Sequence, residues 1–168
     1  MNPNNRKKLK NYIVSTFSAA SVFVAVTAFA EQGGYAQPVE FYQSYIRSNV
    51  SYEINRNTYT SKYNCLAYVL GVRDYTIWPW GQNNPTSGEM TNVLKQFGYS
   101  PINNGSPNNP PKLVTYGTLN NVGHIGKVVE GTNNVTDSKW GAYELVKTYS
   151  LSPYTSSPGY GPAVQYYY

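Results

Sequence analysis

Apolar positions fall into three patterns along the chain. The longest apolar stretch, NYIVSTFSAASVFVAVTAFA at residues 11–30, contains no charged residue. A second pattern has helical period. In TSGEMTNVLKQFGYS, Met90, Val93, Leu94 and Phe97 fall on one face, which predicts a helix with that face in the core. Thr86 and Glu89 stand at capping-box spacing, and Gly98 supplies the stop. The third pattern is a set of short apolar runs between turn residues. Residues 112–116, 121–131 and 144–148 predict strands, and 163–168 predicts an edge strand. INNGSPNNPP at 102–111 reads as a loop. GTNN at 131–134 reads as a hairpin turn, after which VTDSKWG runs back beside the preceding strand. Leu66 to Leu70 is a short apolar stretch with Asn64 before it and Gly71 after it, and predicts a short buried helix.

The first apolar run changes the accounting of the chain. Arg6, Lys7, Lys8 and Lys10 precede it, and Ala28-Phe29-Ala30 ends it. Basic head, apolar centre and small-residue end are the three parts of a secretory signal. Cleavage is expected after Ala30, with Ala36 as a second site, leaving one domain over 31–168. An uncleaved membrane anchor is the alternative. The run is about long enough to span a bilayer, but Ser and Thr dilute it. Expected membrane contact is confined to this segment before cleavage, and the expected location is secreted or cell-envelope.

The formal net charge is +5, from 13 basic and 8 acidic residues. Removing the signal takes away four basic residues and no acidic one, so the mature domain carries nine against eight, or +1. No basic stripe remains, and no nucleic-acid partner is expected. Eighteen Tyr, 14 Gly and 11 Pro point to strands and loops rather than a helix bundle. No phosphate-binding glycine loop or metal-ligand cluster occurs, and no cofactor is expected.

The chain has one cysteine, Cys65, and one histidine, His124. Structural cysteines outside the cell come in pairs. An odd one signals an intermolecular bridge, an inert buried thiol or a reactive thiol. At a helix N-terminus, free N–H groups and the helix dipole favour thiolate and could hold an oxyanion. His124 lies on a predicted strand between Gly123 and Gly126. One Cys and one His fall short of a zinc site. A Cys on a helix start followed by a His on a strand is the chain order of papain-like hydrolases.

The order YNCLAYVLG, TIWPWG, a helix ending in FGY, LVTYG, GHIGKVVEG and DSKWG resembles an uncharacterised bacterial family of papain-like domains. More broadly it is similar to the NlpC-type cell-wall peptidases and amidases. The resemblance implies an α+β fold in which a Cys-bearing helix packs on an antiparallel sheet bearing the His. It makes Cys65 the nucleophile and His124 the base. The third, orienting group would come from the next strand, as Asp137 or Ser138. These are adjacent, so only one can face the ring. Asp137 is the chemically attractive choice, since a carboxylate stabilises an imidazolium. Asn64 serves either as N-cap or as an oxyanion donor. Trp78 and Trp80 either line a substrate cleft or lid the core.

Two functions follow. One is an exported cysteine hydrolase acting on an amide or related acyl bond, with a cell-wall peptide as the implied substrate. The other is a non-catalytic secreted binding or structural domain, with Cys65 and His124 as packing groups. Geometry separates them: catalysis needs the Cys65 sulfur within hydrogen-bond reach of a His124 nitrogen, both open to a cleft.

Overall fold

The computed structural model describes residues 34–103 and 110–168. The signal segment with its Ala30 cleavage site, and positions 104–109 of the predicted loop, lie outside the described residues. Seven strands form one antiparallel sheet: β1 Tyr52–Asn55, β2 Pro101–Ile102, β3 Leu113–Thr118, β4 Asn121–Val128, β5 Thr136–Lys139, β6 Leu145–Thr148 and β7 Ala163–Tyr167. Their spatial order is β1-β6-β5-β4-β3-β7-β2. Among the described residues three short α-helices accompany it, α1 Val39–Tyr45, α2 Cys65–Val69 and α3 Ser87–Lys95.

The expected papain-like α+β architecture does not hold. The described fold is β-rich, with helices of only 7, 5 and 9 residues. The physical reason lies in the punctuation. Gly71 takes φ 76°, a left-handed conformation that closes α2 after one and a half turns. A helix that short adds little beside a seven-stranded sheet, so the fold is β-rich and not α+β.

The expected edge strand at 163–168 is also corrected. β7 is an inner strand, flanked by β3 and β2. Pro101–Ile102 pairs with Tyr167 and Tyr166, so the true edge takes in Ile102, the first residue of the stretch read as loop. The tight β3–β4 hairpin depends on Gly117 (φ 134°), where a Cβ would stand 2.1 Å from the Asn121 carbonyl oxygen.

Each strand presents alternate residues to two faces. One face carries Val114, Tyr116 and Val146, packed with Trp140 against Tyr42 and Ile46 from the α1 segment and Tyr154 from the segment before β7. The core here is aromatic. Trp140 meets Phe41, Tyr42, Tyr45, Tyr154 and Tyr160 at ring separations of 5.0–6.1 Å. The opposite face carries Leu113, Ile125 and Tyr167, all buried. α3 covers part of it, with Thr91 Oγ1 2.9 Å from the Tyr167 hydroxyl. α3 is held at its start by the full capping box, Thr86 accepting from Glu89 N–H and Glu89 accepting from Thr86 N–H.

Two buried charges tie loops to the sheet. Lys139 Nζ donates to the carbonyls of Thr60 (2.9 Å), Gly141 (2.5 Å) and Tyr143. Burial lowers its pKa to about 8, with Cys65 and Glu144 acting in the other direction, so it remains an ammonium at neutral pH. Glu144 accepts from the Tyr42 hydroxyl, from Arg56 Nη1 at 2.8 Å and from Gln37 N–H at 3.2 Å. Burial pushes its carboxyl up, but these donors outweigh burial and hold it below its ordinary value.

Candidate functional site

Cys65 opens α2. Asn64 is the N-cap: its side-chain oxygen accepts from Ala67 N–H at 3.1 Å. The same amide brackets Ile77, accepting from its N–H at 3.2 Å and donating to its carbonyl at 2.9 Å. Asn64 is thus engaged in pinning the Trp78–Trp80 loop to the helix start. Trp78 Nε1 donates to Asn83 O at 2.9 Å, and the two indoles meet edge to face at 5.2 Å. Both rings are half-buried.

The Cys65 side chain is buried, at 6% exposure. Burial pushes its thiol up to about 11, although the N–H groups of Ile125 and Leu66 and the Lys139 charge pull the other way. The helix-start field expected from the sequence is present, and desolvation exceeds it. At neutral pH the group is a thiol.

His124 occupies an aromatic box. Its ring lies flat against Tyr160, with centroids 3.9 Å apart and planes at 10°. Tyr116, its cross-strand partner, is 5.8 Å away, Tyr154 5.5 Å and Trp140 6.2 Å. Exposure is 1%. Burial lowers the imidazole to about 3, so the ring is neutral. Its Nε2 has no hydrogen-bond partner.

The two groups share neighbours: Tyr154 and Tyr160, whose rings pack on His124 at 5.5 and 3.9 Å, both interact electrostatically with Cys65. His124 belongs to the aromatic face with Tyr116. Its neighbour Ile125 points the other way. Lys139 Nζ lies over the Tyr63 ring and the Tyr68 phenol interacts with Asp137. Cys65 meets β4 through Ile125 N–H, near where β4 and β5 cease to pair beyond Lys127–Asp137. Among the described residues no hydrogen bond joins the thiol to the imidazole.

Ser138 and Asp137 fall on opposite faces. Ser138 shares the His124 side, but its hydroxyl is occupied by Tyr154 OH at 2.9 Å and Trp140 Nε1 at 3.2 Å. Asp137 lies on the other face and lines a cavity of about 320 Å³ with Glu53, Tyr68 and Lys147. It cannot orient His124 from there. Among the described residues no group of three or more His, Cys, Asp or Glu side chains could hold a metal ion.

Tyr160 is the site residue that sequence patterns did not mark. It lies in a Pro/Gly-broken tail, and only its placement between Gly159 and Gly161 sets it apart. Besides covering His124, it lines a second cavity, of about 470 Å³, with Asn84, Gly117 and Gly123.

Residues 54–168 match the family described as a domain of unknown function, DUF7689, and the chain belongs to that family. No curated protein and no solved structure matches the chain. The class defined by fold and site is therefore an antiparallel β-rich domain with a buried thiol and a buried imidazole that have Tyr154 and Tyr160 as common neighbours.

Proposed function

We propose that the chain is an exported, non-catalytic binding domain in which Cys65 and His124 are packing groups. The observation that carries this reading is that both groups are buried and, among the described residues, no hydrogen bond joins them. The pKa directions agree. A thiolate–imidazolium pair needs a lowered thiol and a raised imidazole, and the displacements here run the opposite way. Export rests on the basic head and apolar run of residues 6–30, and its test is N-terminal sequencing of material secreted by an expressing cell. The binding reading is tested by alkylation of Cys65 in the folded protein, which it expects to be slow at every pH below unfolding.

One observation favours an exported thiol hydrolase as a second reading. A buried nitrogen without a partner costs about 1–3 kcal/mol, and a purely structural position has apolar alternatives. His124 Nε2 is such a nitrogen. Under this reading Tyr160 is a movable cover, and its displacement brings His124 into contact with the neighbouring cavity. An acyl group would be attacked by Cys65 sulfur, its proton passing to the imidazole and on to the leaving group, with water releasing the acyl chain. The test is hydrolysis of cell-wall peptide by the protein and by Tyr160→Ala. Turnover lost in Cys65→Ala supports this second reading, and its absence in all three supports the first.

A further inference from the structure

The cavity beside Asp137 is separate from the Cys65 and His124 positions, and its lining has a definite chemistry. Four strands set a row of charges across one face of the sheet. Glu53 on β1 pairs with Lys147 on β6, Lys147 with Asp137 on β5, and Asp137 with Lys127 on β4. The signs alternate, but the partners do not share equally. Glu53 is already served: Lys147 Nζ stands 3.8 Å from it, and the Tyr149 hydroxyl donates to its other oxygen. Asp137 is not. Neither lysine comes within 4.0 Å of its carboxylate, and among the described residues it accepts no hydrogen bond.

Asp137 is half-buried, and burial raises its carboxyl despite the pull of Lys147 and Lys127. A carboxylate in that position has electrostatic demand left over. Tyr68 stands beside it as an aromatic wall, and Leu145 gives apolar surface in the same cavity. Tyr68 already holds one cation. The Arg73 guanidinium lies 4.3 Å from its ring centroid and 5.1 Å from that of Tyr63. An aromatic ring, an under-served carboxylate and an apolar strip suit a cation on an aliphatic stem. Lys147 also lines the cavity, but its ammonium is paired with Glu53 at 3.8 Å, and an anion would meet both Asp137 and Glu53.

We propose that the cavity of about 320 Å³ between Tyr68 and Asp137 binds an organic monocation, an ammonium or guanidinium on an aliphatic stem. Asp137 is the counter-ion, Tyr68 the wall and Leu145 the seat of the stem. The proposal gives a ligand class to the binding domain proposed above, and rests on that reading for its purpose. The cation has two sources, a basic side chain of a peptide or a free alkylamine.

The test titrates the purified chain with n-butylammonium and with N-acetyl-lysine methylamide, following backbone amide NMR shifts at Tyr68, Asp137 and Leu145. n-Butanol and N-acetyl-norleucine methylamide are the neutral controls. Expected are saturable shifts from the cations, about tenfold weaker binding in Asp137→Asn, and weakening with added salt. Tighter binding of the lysine derivative assigns the peptide source, and tighter binding of the free amine assigns the small-molecule source; each supports the site. Equal shifts from the neutral controls, unchanged affinity in Asp137→Asn, or no saturable shift would overturn it. Asp137→Asn is first checked for an unchanged melting temperature, and Tyr68→Phe, which keeps the ring, should retain binding. Failure here leaves the Cys65 reading untouched, and a reactive Cys65 leaves this site standing.

Discussion

Tyr160 lies flat on His124, 3.9 Å between ring centroids, and the same tyrosine forms part of a cavity wall. One side chain therefore divides the only imidazole in the chain from space where a small molecule could sit. Tyr160→Ala is expected to open that division. Diethylpyrocarbonate should leave His124 unmodified in the wild type and modify it in the variant, while Tyr160→Phe stays protected. Modification of the wild type at the same rate as an exposed histidine would show that Tyr160 is not a cover.

His124 also sets a pH dependence. Its folded pKa is about 3, below the ordinary 6.5. The unfolded chain therefore binds more protons between those values, and stability rises with pH across that window. The contribution is complete above about pH 6.5 and is lost as pH falls toward 3, with a slope reaching about 1.4 kcal/mol per pH unit. His124→Phe should flatten that part of the curve. Urea denaturation midpoints at pH 7, 5.5 and 4.5 would measure it.

Lys139 is held by three carbonyls and meets the Tyr63 ring at 5.3 Å. Lys139→Met keeps much of the stem and leaves three partly buried carbonyls without that donor. The expected loss is about 3 kcal/mol or more. Thermal melting should show it as a fall of several degrees. An unchanged melting temperature would mean that water takes over the three carbonyls.

Thr86 closes the capping box of α3. Thr86→Ala should cost about 1 kcal/mol and leave both cavities unaltered, giving a control for destabilisation without change at either site. Equilibrium denaturation reads it directly.

Several strands, but not their order in the sheet, were legible because turn residues bound them. Gly131 and Gly141 both take positive φ next to strand ends. Thr86, Glu89 and the face of Met90, Val93 and Leu94 announced α3 through purely local chemistry. What the sequence could not convey was non-local. β1 has an alternating burial pattern over only four residues, too short to register. Tyr42, Tyr154 and Tyr160 converge on Trp140 from segments about a hundred residues apart, and nothing in their flanks marks them as core among 18 tyrosines.

The surroundings of Cys65 and His124 were hidden for a similar reason. Period-two alternation places His124 and Ile125 on opposite faces, but which face α2 covers is a tertiary fact. The adjacency of Asp137 and Ser138 was readable as a choice between faces. The choice itself depends on register, which sets Ser138 opposite Val146 on the aromatic side and Asp137 opposite Lys147 on the other.

The most direct test of the central claim is the pH dependence of Cys65 alkylation by iodoacetamide in the folded protein, beside His124→Ala. The account predicts a thiol that stays almost unreactive until denaturant unfolds the chain, with residual reactivity rising only toward pH 11 and unchanged by the His124 substitution. Rapid alkylation with an apparent pKa below the free-thiol value of about 8.5, lost in His124→Ala, would contradict it and establish a working Cys–His pair.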